Sequence, residues 1–233
     1  TDIRKGIADS VDLYFYALGG GFQDIRGLGV DRIAQYFQMF RADEKTGIDL
    51  PGEVSGFVPT KEWKKQTKGE SWFVGDTYNI SIGQGDLLVT PLWLTAYVSA
   101  IANGGSLMQP FLVKEIQNPD GTTRETHQPV TIAKLSLDSK ALQVVREGMR
   151  QTITDGTAQM LKDLPVQLAA KTGTAQVTGK ALNSLFIVYG PYENPDIAMT
   201  VLVEQIPQSQ SIAVHVANSF LAWYFGRPAS AGL

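Results

Sequence analysis

A lysine inside a predicted strand is the first candidate for chemistry in this sequence. Lys171-Thr172-Gly173-Thr174 follows two alanines in a run that reads as extended. A long cationic side chain in a strand must either reach solvent or face an anion, and a glycine lets another molecule approach the backbone closely. These residue types would suit an anion that passes along the strand. An edge-strand lysine beside a kinking glycine explains the same residues without any function.

Ser10-Val11-Asp12 is the second candidate, because a hydroxyl and a carboxylate stand together directly before an apolar helical run. The usual reason for Ser or Asp at such a place is helix capping, in which the side chain accepts a hydrogen bond from the first turn. On these residues alone, capping is the favoured interpretation. A chemical role for Ser10 gains weight only when it is considered together with the lysine strand.

The composition excludes several classes of protein. The 233 residues include no cysteine, which excludes disulfide scaffolds, cysteine-based zinc sites and thiol nucleophiles. Two distant histidines give no metal cluster. The 20 Lys and Arg and 23 Asp and Glu give a formal charge of −3 without a basic block, which argues against nucleic acid as a partner. No run approaches the roughly 18 apolar residues that a membrane span needs.

Three apolar runs predict the sheet that carries the lysine. Residues 166–177, 183–189 and 197–204 read as strands joined by short turns, and the second and third are apolar on both faces. Helices should therefore cover both sides of the sheet. Helical spacing predicts these helices at residues 11–18, 30–40, 138–154 and 209–225, and between the start signal Thr90-Pro91 and Gly104-Gly105. The predicted fold class is mixed α/β (α+β), an antiparallel sheet between helical layers.

Two connecting regions are predicted to lie outside this framework. Residues 41–76 are polar and rich in turns, and they read as an irregular surface excursion whose four lysines form a solvated face. Residues 111–117 and 129–133 flank the turn signal Asn118-Pro119-Asp120-Gly121. This arrangement predicts that the two runs pair with each other as a hairpin.

The order of motifs along the chain resembles the transpeptidase domain of class B penicillin-binding proteins. Ser10-x-Asp12 and Lys171-Thr172-Gly173 are similar to the Ser-x-Asn and Lys-Thr-Gly elements of that group. Further matches cover essentially the whole chain, at residues 46–53, 59–63, 75–77, 81–85, 90–92 and 156–158. Trp72 and the Ser-x-Asp form are most similar to the elongation type, penicillin-binding protein 2.

The resemblance implies a penicillin-binding-protein/β-lactamase-like fold and a D,D-transpeptidase activity. In the family, a serine attacks the penultimate D-Ala of a peptidoglycan stem peptide, and an amine of a neighbouring strand then takes the acyl group. No metal or cofactor is implied. Carried over to this chain, the catalytic residues are Ser10, Asp12 and Lys171. Ser10 would pass a proton to the leaving nitrogen, and Lys171 would lower the pKa of the base lysine.

The resemblance also implies the ligands and partners. Thr172, Gly173 and Thr174 would bind substrate: the hydroxyls take its carboxylate beside the lysine, the glycine admits it as an added strand, and the Thr174 N–H is an oxyanion donor. The implied ligands are stem peptides ending in acyl-D-Ala-D-Ala and β-lactam antibiotics. The implied partners are a glycan polymerase and membrane proteins of the elongation complex, at the periplasmic face of the bacterial inner membrane.

One element of the family does not occur in the 233 residues, the Ser-x-x-Lys that supplies nucleophile and base. We therefore expect residues 1–233 to be the C-terminal part of one transpeptidase domain, inactive alone, with nucleophile, base and membrane anchor upstream. Asp12 stands where many relatives carry Asn, and we expect it to pair with Lys171. Two alternatives stay open: a serine β-lactamase or D,D-carboxypeptidase on the same fold, and a sensor or degenerate scaffold that binds β-lactams or peptidoglycan.

Overall fold

The structure is a computed structural model that describes residues 2–177, 181–206 and 211–226. Within these residues, the elements are α1 (Ile3–Ala8), α2 (Asp12–Gly20), α3 (Gly29–Met39), α4 (Lys61–Lys68), α5 (Val74–Ser81), α6 (Pro91–Ala102), β1 (Ser106–Met108), β2 (Glu115–Gln117), β3 (Thr123–Thr126), β4 (Thr131–Lys134), α7 (Ser139–Thr154), a 3-10 turn (Gln159–Leu161), β5 (Ala169–Gln176), β6 (Leu182–Gly190), β7 (Ile197–Ile206) and α8 (Ile212–Phe225).

The main sheet has the strand order β5-β6-β7 with antiparallel neighbours, so β5 is an edge strand. Helix α8 covers one face, where Leu221 packs in one cluster with Phe186 of β6. Helices α1, α6 and α7 cover the other face, where Val98 and Met149 cluster with Tyr189. The three predicted strands and the helices on both faces are confirmed, with small shifts at the strand ends.

Helix α6 packs on the main sheet and contacts the end of α3. The Thr90 side chain accepts a hydrogen bond from the Trp93 N–H at 3.0 Å, and Pro91 occupies the first turn, so both start signals are confirmed. The buried Trp93 indole donates to the Phe40 carbonyl at 2.8 Å and stacks on Tyr97. These contacts fix the end of α3 on α6.

The region from residue 41 to residue 76 is more ordered than predicted. It contains α4 and the start of α5, and the predicted solvated face of lysines is wrong for one member. The Lys64 side chain is only 6% exposed, and its ammonium lies 2.7 Å from Asp76 and 3.4 Å from Glu70. The helical period of α4 turns Lys64 inward, whereas a run of charges alone cannot show which lysine faces a carboxylate.

The turn of the predicted hairpin is confirmed, but the predicted pairing of its two strands is wrong. Gly121 N–H bonds to the Asn118 carbonyl at 2.9 Å, but β2 pairs with β3 instead of residues 129–133. Residues 131–133 of that run belong to β4, which pairs with β1. Because β3 follows the turn directly, pairing with it closes a shorter loop. Helix α1 was not predicted, since its six residues are too few for a periodic pattern.

Candidate active site

Ser10 lies between α1 and α2 with an unusual backbone conformation. Its φ of +56° is left-handed, a region that residues other than glycine rarely adopt. The Ser10 N–H bonds to the Ile7 carbonyl at 3.3 Å, and the Val11 N–H bonds to the Gly6 carbonyl at 3.0 Å. This is the Schellman pattern that ends a helix, in which glycine usually occupies the left-handed position. A serine is therefore held here at a cost in backbone strain.

The Ser10 hydroxyl contacts the lysine of the edge strand. Lys171 Nζ donates to Ser10 Oγ at 2.7 Å, across 161 residues of sequence, and to the Thr172 carbonyl at 2.8 Å. The N-cap residue of α2 is Val11, which makes no side-chain capping bond. The capping interpretation of Ser10 is therefore wrong, and the two candidate motifs from opposite ends of the chain form one cluster.

Burial lowers the pKa of Lys171 from its ordinary value of 10.5 to about 8, because desolvation disfavours the ammonium form. The Asp12 carboxylate opposes this effect and raises the pKa of Lys171 by Coulombic attraction. The expected direct pair does not form, since within the described residues the ammonium bonds to Ser10 and Thr172. Asp12 acts from a distance, at an exposed helix N-terminus where the helix dipole favours a carboxylate.

The outer edge of β5 presents backbone groups of Thr172 and Thr174. The Val177 N–H bonds to the Ala181 carbonyl at 3.2 Å. In an antiparallel pair, hydrogen-bonded and non-hydrogen-bonded residues alternate along each strand. In the β5–β6 register, every second residue of β5 counted back from Val177, Gly173 included, therefore bonds to β6. Thr172 and Thr174 alternate with those residues, so their N–H and C=O groups point away from β6. An extended ligand can add to this edge as a further strand.

Contacts within the chain do not require a glycine at position 173. A Cβ placed there would lie 3.4 Å from the Leu185 Cβ, which is ordinary van der Waals contact. Gly173 also has no left-handed φ. The absence of a side chain therefore leaves room on the strand for a ligand instead of relieving a clash.

The side chains of β5 project alternately to the two faces of the sheet. Lys171 projects to the face that α1 covers, and Thr172 projects to the other. There the Thr172 hydroxyl lies 2.7 Å from the Thr157 hydroxyl, in the loop after α7. By the same alternation, Thr172 and Thr174 share one side, as predicted, but the ammonium of Lys171 flanks the strand from the opposite side.

Gln84 connects the end of α5 to this outer edge. Its side-chain amide donates to the Thr174 carbonyl at 3.1 Å. The Gln84 N–H bonds to the Asn79 carbonyl at 2.9 Å, and Gly83 and Gly85 on either side have left-handed φ values. The chain thus turns sharply on both sides of the glutamine and holds its backbone on α5.

A cavity of about 520 Å³ opens beside the outer edge of β5. It lies between α2, α3, α5 and α6, and residues 173–175 form part of its wall. The rest of the wall is largely aromatic and aliphatic, and its aromatic members include Phe15, Phe37, Phe40, Trp93 and Tyr97. Walls of this kind suit an apolar helix or an apolar ligand group.

Gln84 and Thr157 are two side chains of the site that are not among the predicted site residues. Both lie in segments that resemble the family, at residues 81–85 and 156–158. Glycines on both sides of Gln84 indicate a sharp turn, but residue type alone does not show which strand a turn will contact. For Thr157 we find no signal in the sequence beyond the family resemblance.

Two further observations concern metals and membranes. Among residues 2–177, 181–206 and 211–226, no group of three or more His, Cys, Asp or Glu side chains is arranged to hold a metal ion. None of the helices in that same part of the chain has the length and apolar character needed to cross a bilayer.

Comparison with known proteins identifies the same family that the order of the motifs resembles. The family model described as "Penicillin binding protein transpeptidase domain" matches residues 1–222. The chain is 32% identical to peptidoglycan D,D-transpeptidase MrdA of Acinetobacter baumannii over 242 residues, which cover 97% of this chain and 35% of that protein. It therefore spans about a third of the length of the curated relatives that it matches.

Solved structures give the same result. PBP2 of Pseudomonas aeruginosa in complex with WCK 5153 has a TM-score of 0.78 and 31% identity, over 96% of this chain and 48% of that one. The PBP2 and MreC complex from Helicobacter pylori has a TM-score of 0.77 and 31% identity, over 96% and 39%. The chain therefore belongs to the transpeptidase domain family of penicillin-binding proteins, and within it to the penicillin-binding protein 2 (MrdA) type of class B.

Proposed function

We propose that this chain serves a peptidoglycan D,D-transpeptidase that cross-links stem peptides through a serine acyl-enzyme during cell-wall elongation. The observation that carries the proposal is the 2.7 Å bond between Lys171 Nζ and Ser10 Oγ. It joins the two motifs that the family places in its active site, and it joins them beside an open strand edge. Of the four other proposed site residues, Thr172, Gly173 and Thr174 belong to that strand, and Asp12 acts on Lys171 by Coulombic attraction.

The same proposal assigns residues 1–233 to the C-terminal part of one transpeptidase domain. The nucleophilic serine and the base lysine would then come from a Ser-x-x-Lys element that precedes residue 1. Three observations support this assignment: the 233 residues contain no such element, the chain spans about a third of its curated relatives, and an apolar cavity of about 520 Å³ lies beside the site. A helix that carries the element would fill that cavity.

In the proposed reaction, the serine oxygen bonds to the carbonyl carbon of the penultimate D-Ala, and the base lysine takes the hydroxyl proton. A lysine must be neutral to do this, and the positive charge of Lys171 nearby lowers its pKa because two cations repel. The bond to the terminal D-Ala then breaks, and Ser10 passes a proton to the departing nitrogen. An amine of a second stem peptide displaces the serine and forms the cross-link.

The substrate would lie along the outer edge of β5 as an added strand. The Thr174 N–H points to that edge and would stabilise the oxyanion of the tetrahedral intermediate; one such donor contributes about 3 kcal/mol. The hydroxyls of Thr172 and Thr174 and the Lys171 ammonium flank the strand from its two sides and would bind the terminal carboxylate. A β-lactam would acylate the same serine as an imitation of acyl-D-Ala-D-Ala.

The proposal extends to partners and location. The Helicobacter pylori relative forms a complex with MreC, and a 27% identical neighbour belongs to a peptidoglycan synthase complex that coordinates polymerization and crosslinking. We propose corresponding partners here, a glycan polymerase and membrane proteins of the elongation complex. The site would then face the periplasm, with the parent protein anchored in the inner membrane by an upstream helix.

The test uses the full-length protein that contains this chain. Incubated with glycan strands whose stem peptides end in D-Ala-D-Ala, it should form cross-linked peptides and release one D-Ala per cross-link, and penicillin should block both products. Lys171→Met should abolish both as well. Rapid turnover of penicillin would instead identify a β-lactamase, and D-Ala release without cross-links a D,D-carboxypeptidase. Acylation without either product would identify a sensor.

A further inference from the structure

Thr157, in the loop after α7, forms hydrogen bonds with two separate segments of the candidate site. Its N–H donates to the Ala8 carbonyl at 3.1 Å, and its hydroxyl lies 2.7 Å from the hydroxyl of Thr172. Ala8 is the last residue of α1 and precedes Ser10 by two positions. Thr172 directly follows Lys171. One residue therefore bonds to both segments that carry the Ser10–Lys171 pair.

The loop is built for this close approach. A Cβ on Gly156 would lie 2.3 Å from the Ala8 carbonyl oxygen, so only a glycine lets the loop pass α1 at this distance. On the other side of Thr157, the buried Ala158 donates from its N–H to the Thr152 carbonyl at 2.8 Å. Thr157 is thus held between a tight glycine contact and a buried anchor.

We infer that Thr157 is a positioning residue, which keeps the Ser10 turn and the Lys171 strand at hydrogen-bonding distance; this inference rests on the proposed transpeptidase function. Ser10 and Lys171 belong to separate elements, a turn between two helices and an edge strand. Their 2.7 Å contact therefore depends on how α1 sits against β5. The two hydrogen bonds of Thr157 connect α1, at Ala8, directly to β5, at Thr172.

A second threonine pair in the same sheet provides a matched control. The Thr95 hydroxyl of α6 lies 2.9 Å from the Thr200 hydroxyl of β7, so it also links a helical segment to a strand. The Thr95 hydroxyl also donates to the Pro91 carbonyl at 2.9 Å, and neither Pro91 nor Thr200 is a candidate site residue. Thr95→Val and Thr157→Val therefore each delete a hydrogen bond between two threonine hydroxyls. The Thr95 bond lies at a distance from the site, and the Thr157 bond lies next to it.

The experiment measures acylation of the full-length protein by penicillin, separated into a dissociation constant and a first-order acylation rate constant. We expect Thr157→Val to lower the rate constant about tenfold or more, because a misplacement of about 1 Å can cost about 100-fold. The dissociation constant should change by less than about threefold. Thr157→Ser keeps the hydroxyl and should restore the rate constant to within about threefold, and Thr95→Val should leave it unchanged.

Three results would overturn the inference. An unchanged rate constant in Thr157→Val is the first, failure of Thr157→Ser to restore it is the second, and an equal loss in Thr95→Val is the third. If Thr157→Val does not fold, Thr157→Ala replaces it and is judged against Thr157→Ser in the same way. A wild-type protein that penicillin does not acylate would refute the proposed function itself, and this inference with it.

Discussion

Backbone strain at Ser10 predicts an unusual order of stability among its variants. Ser10 has a φ of +56° at the left-handed position of a Schellman turn. An alanine there keeps the strain of an L-residue, about 1–2 kcal/mol, whereas glycine has none. Glycine gains more freedom in the unfolded chain, which costs about 0.4–1 kcal/mol. At the midpoints of these ranges, Ser10→Gly should be more stable than Ser10→Ala by about 0.8 kcal/mol.

The comparison isolates the backbone because both variants lose the bond from Lys171 Nζ to the Ser10 hydroxyl. A difference of this size corresponds to roughly 2–3 °C in the melting temperature of the transpeptidase domain, which differential scanning calorimetry of the full-length protein resolves. Ser99, inside α6, is the matched control. There Ser99→Ala should be more stable than Ser99→Gly, because glycine destabilises a helix interior by about 1 kcal/mol.

The same variants test why a serine occupies the position. Both Ser10→Gly and Ser10→Ala should lower the penicillin acylation rate, by about 100-fold or more, since a positioned proton-transfer group contributes at least that factor. The more stable variant would then be as inactive as the less stable one. Equal melting temperatures, or a more stable Ser10→Ala, would refute the left-handed strain at Ser10.

Two further predictions concern the pH profile and the strand edge. With a pKa of about 8, Lys171 should lose its charge on the alkaline side of the pH profile of acylation. Because Asp12 raises that pKa, Asp12→Asn should move the alkaline limb of the profile to lower pH. An alkaline limb that does not move in stopped-flow acylation assays would contradict this prediction. Gln84→Met removes the bond to the Thr174 carbonyl and should lower the acylation rate about tenfold. Gln109→Met, which removes a similar amide-to-carbonyl bond away from the edge, is its control and should leave the rate unchanged.

The main sheet could be predicted from the sequence because its strands are marked by composition. Strands β6 and β7 are apolar on both faces, and short turns separate them from their neighbours, so their place between helical layers follows from burial alone. Helix α6 was predictable for a similar reason, since the start signal Thr90-Pro91 is local. In both cases the deciding information lies within about a dozen residues.

The parts that could not be predicted depend on contacts between distant segments. Lys64 carries the same charge as its neighbours on α4, and only the position of Asp76 makes it a buried ion pair. The sequence favours a helix-capping role for Ser10. That interpretation is wrong because the left-handed φ of Ser10 is set by packing and not by residue type. The missing direct pair between Asp12 and Lys171 has the same origin, because the distance between α2 and β5 is a property of the whole fold.

The most direct test of the account is a crystal structure of the full-length protein acylated by penicillin. We predict an ester on a serine outside residues 1–233, with its carbonyl oxygen about 2.7–3.1 Å from the Thr174 nitrogen. Ser10 and Lys171 should lie beside the ester and still share their hydrogen bond. An acyl group on Ser10 itself, or an ester that forms away from Ser10 and Lys171, would contradict the account.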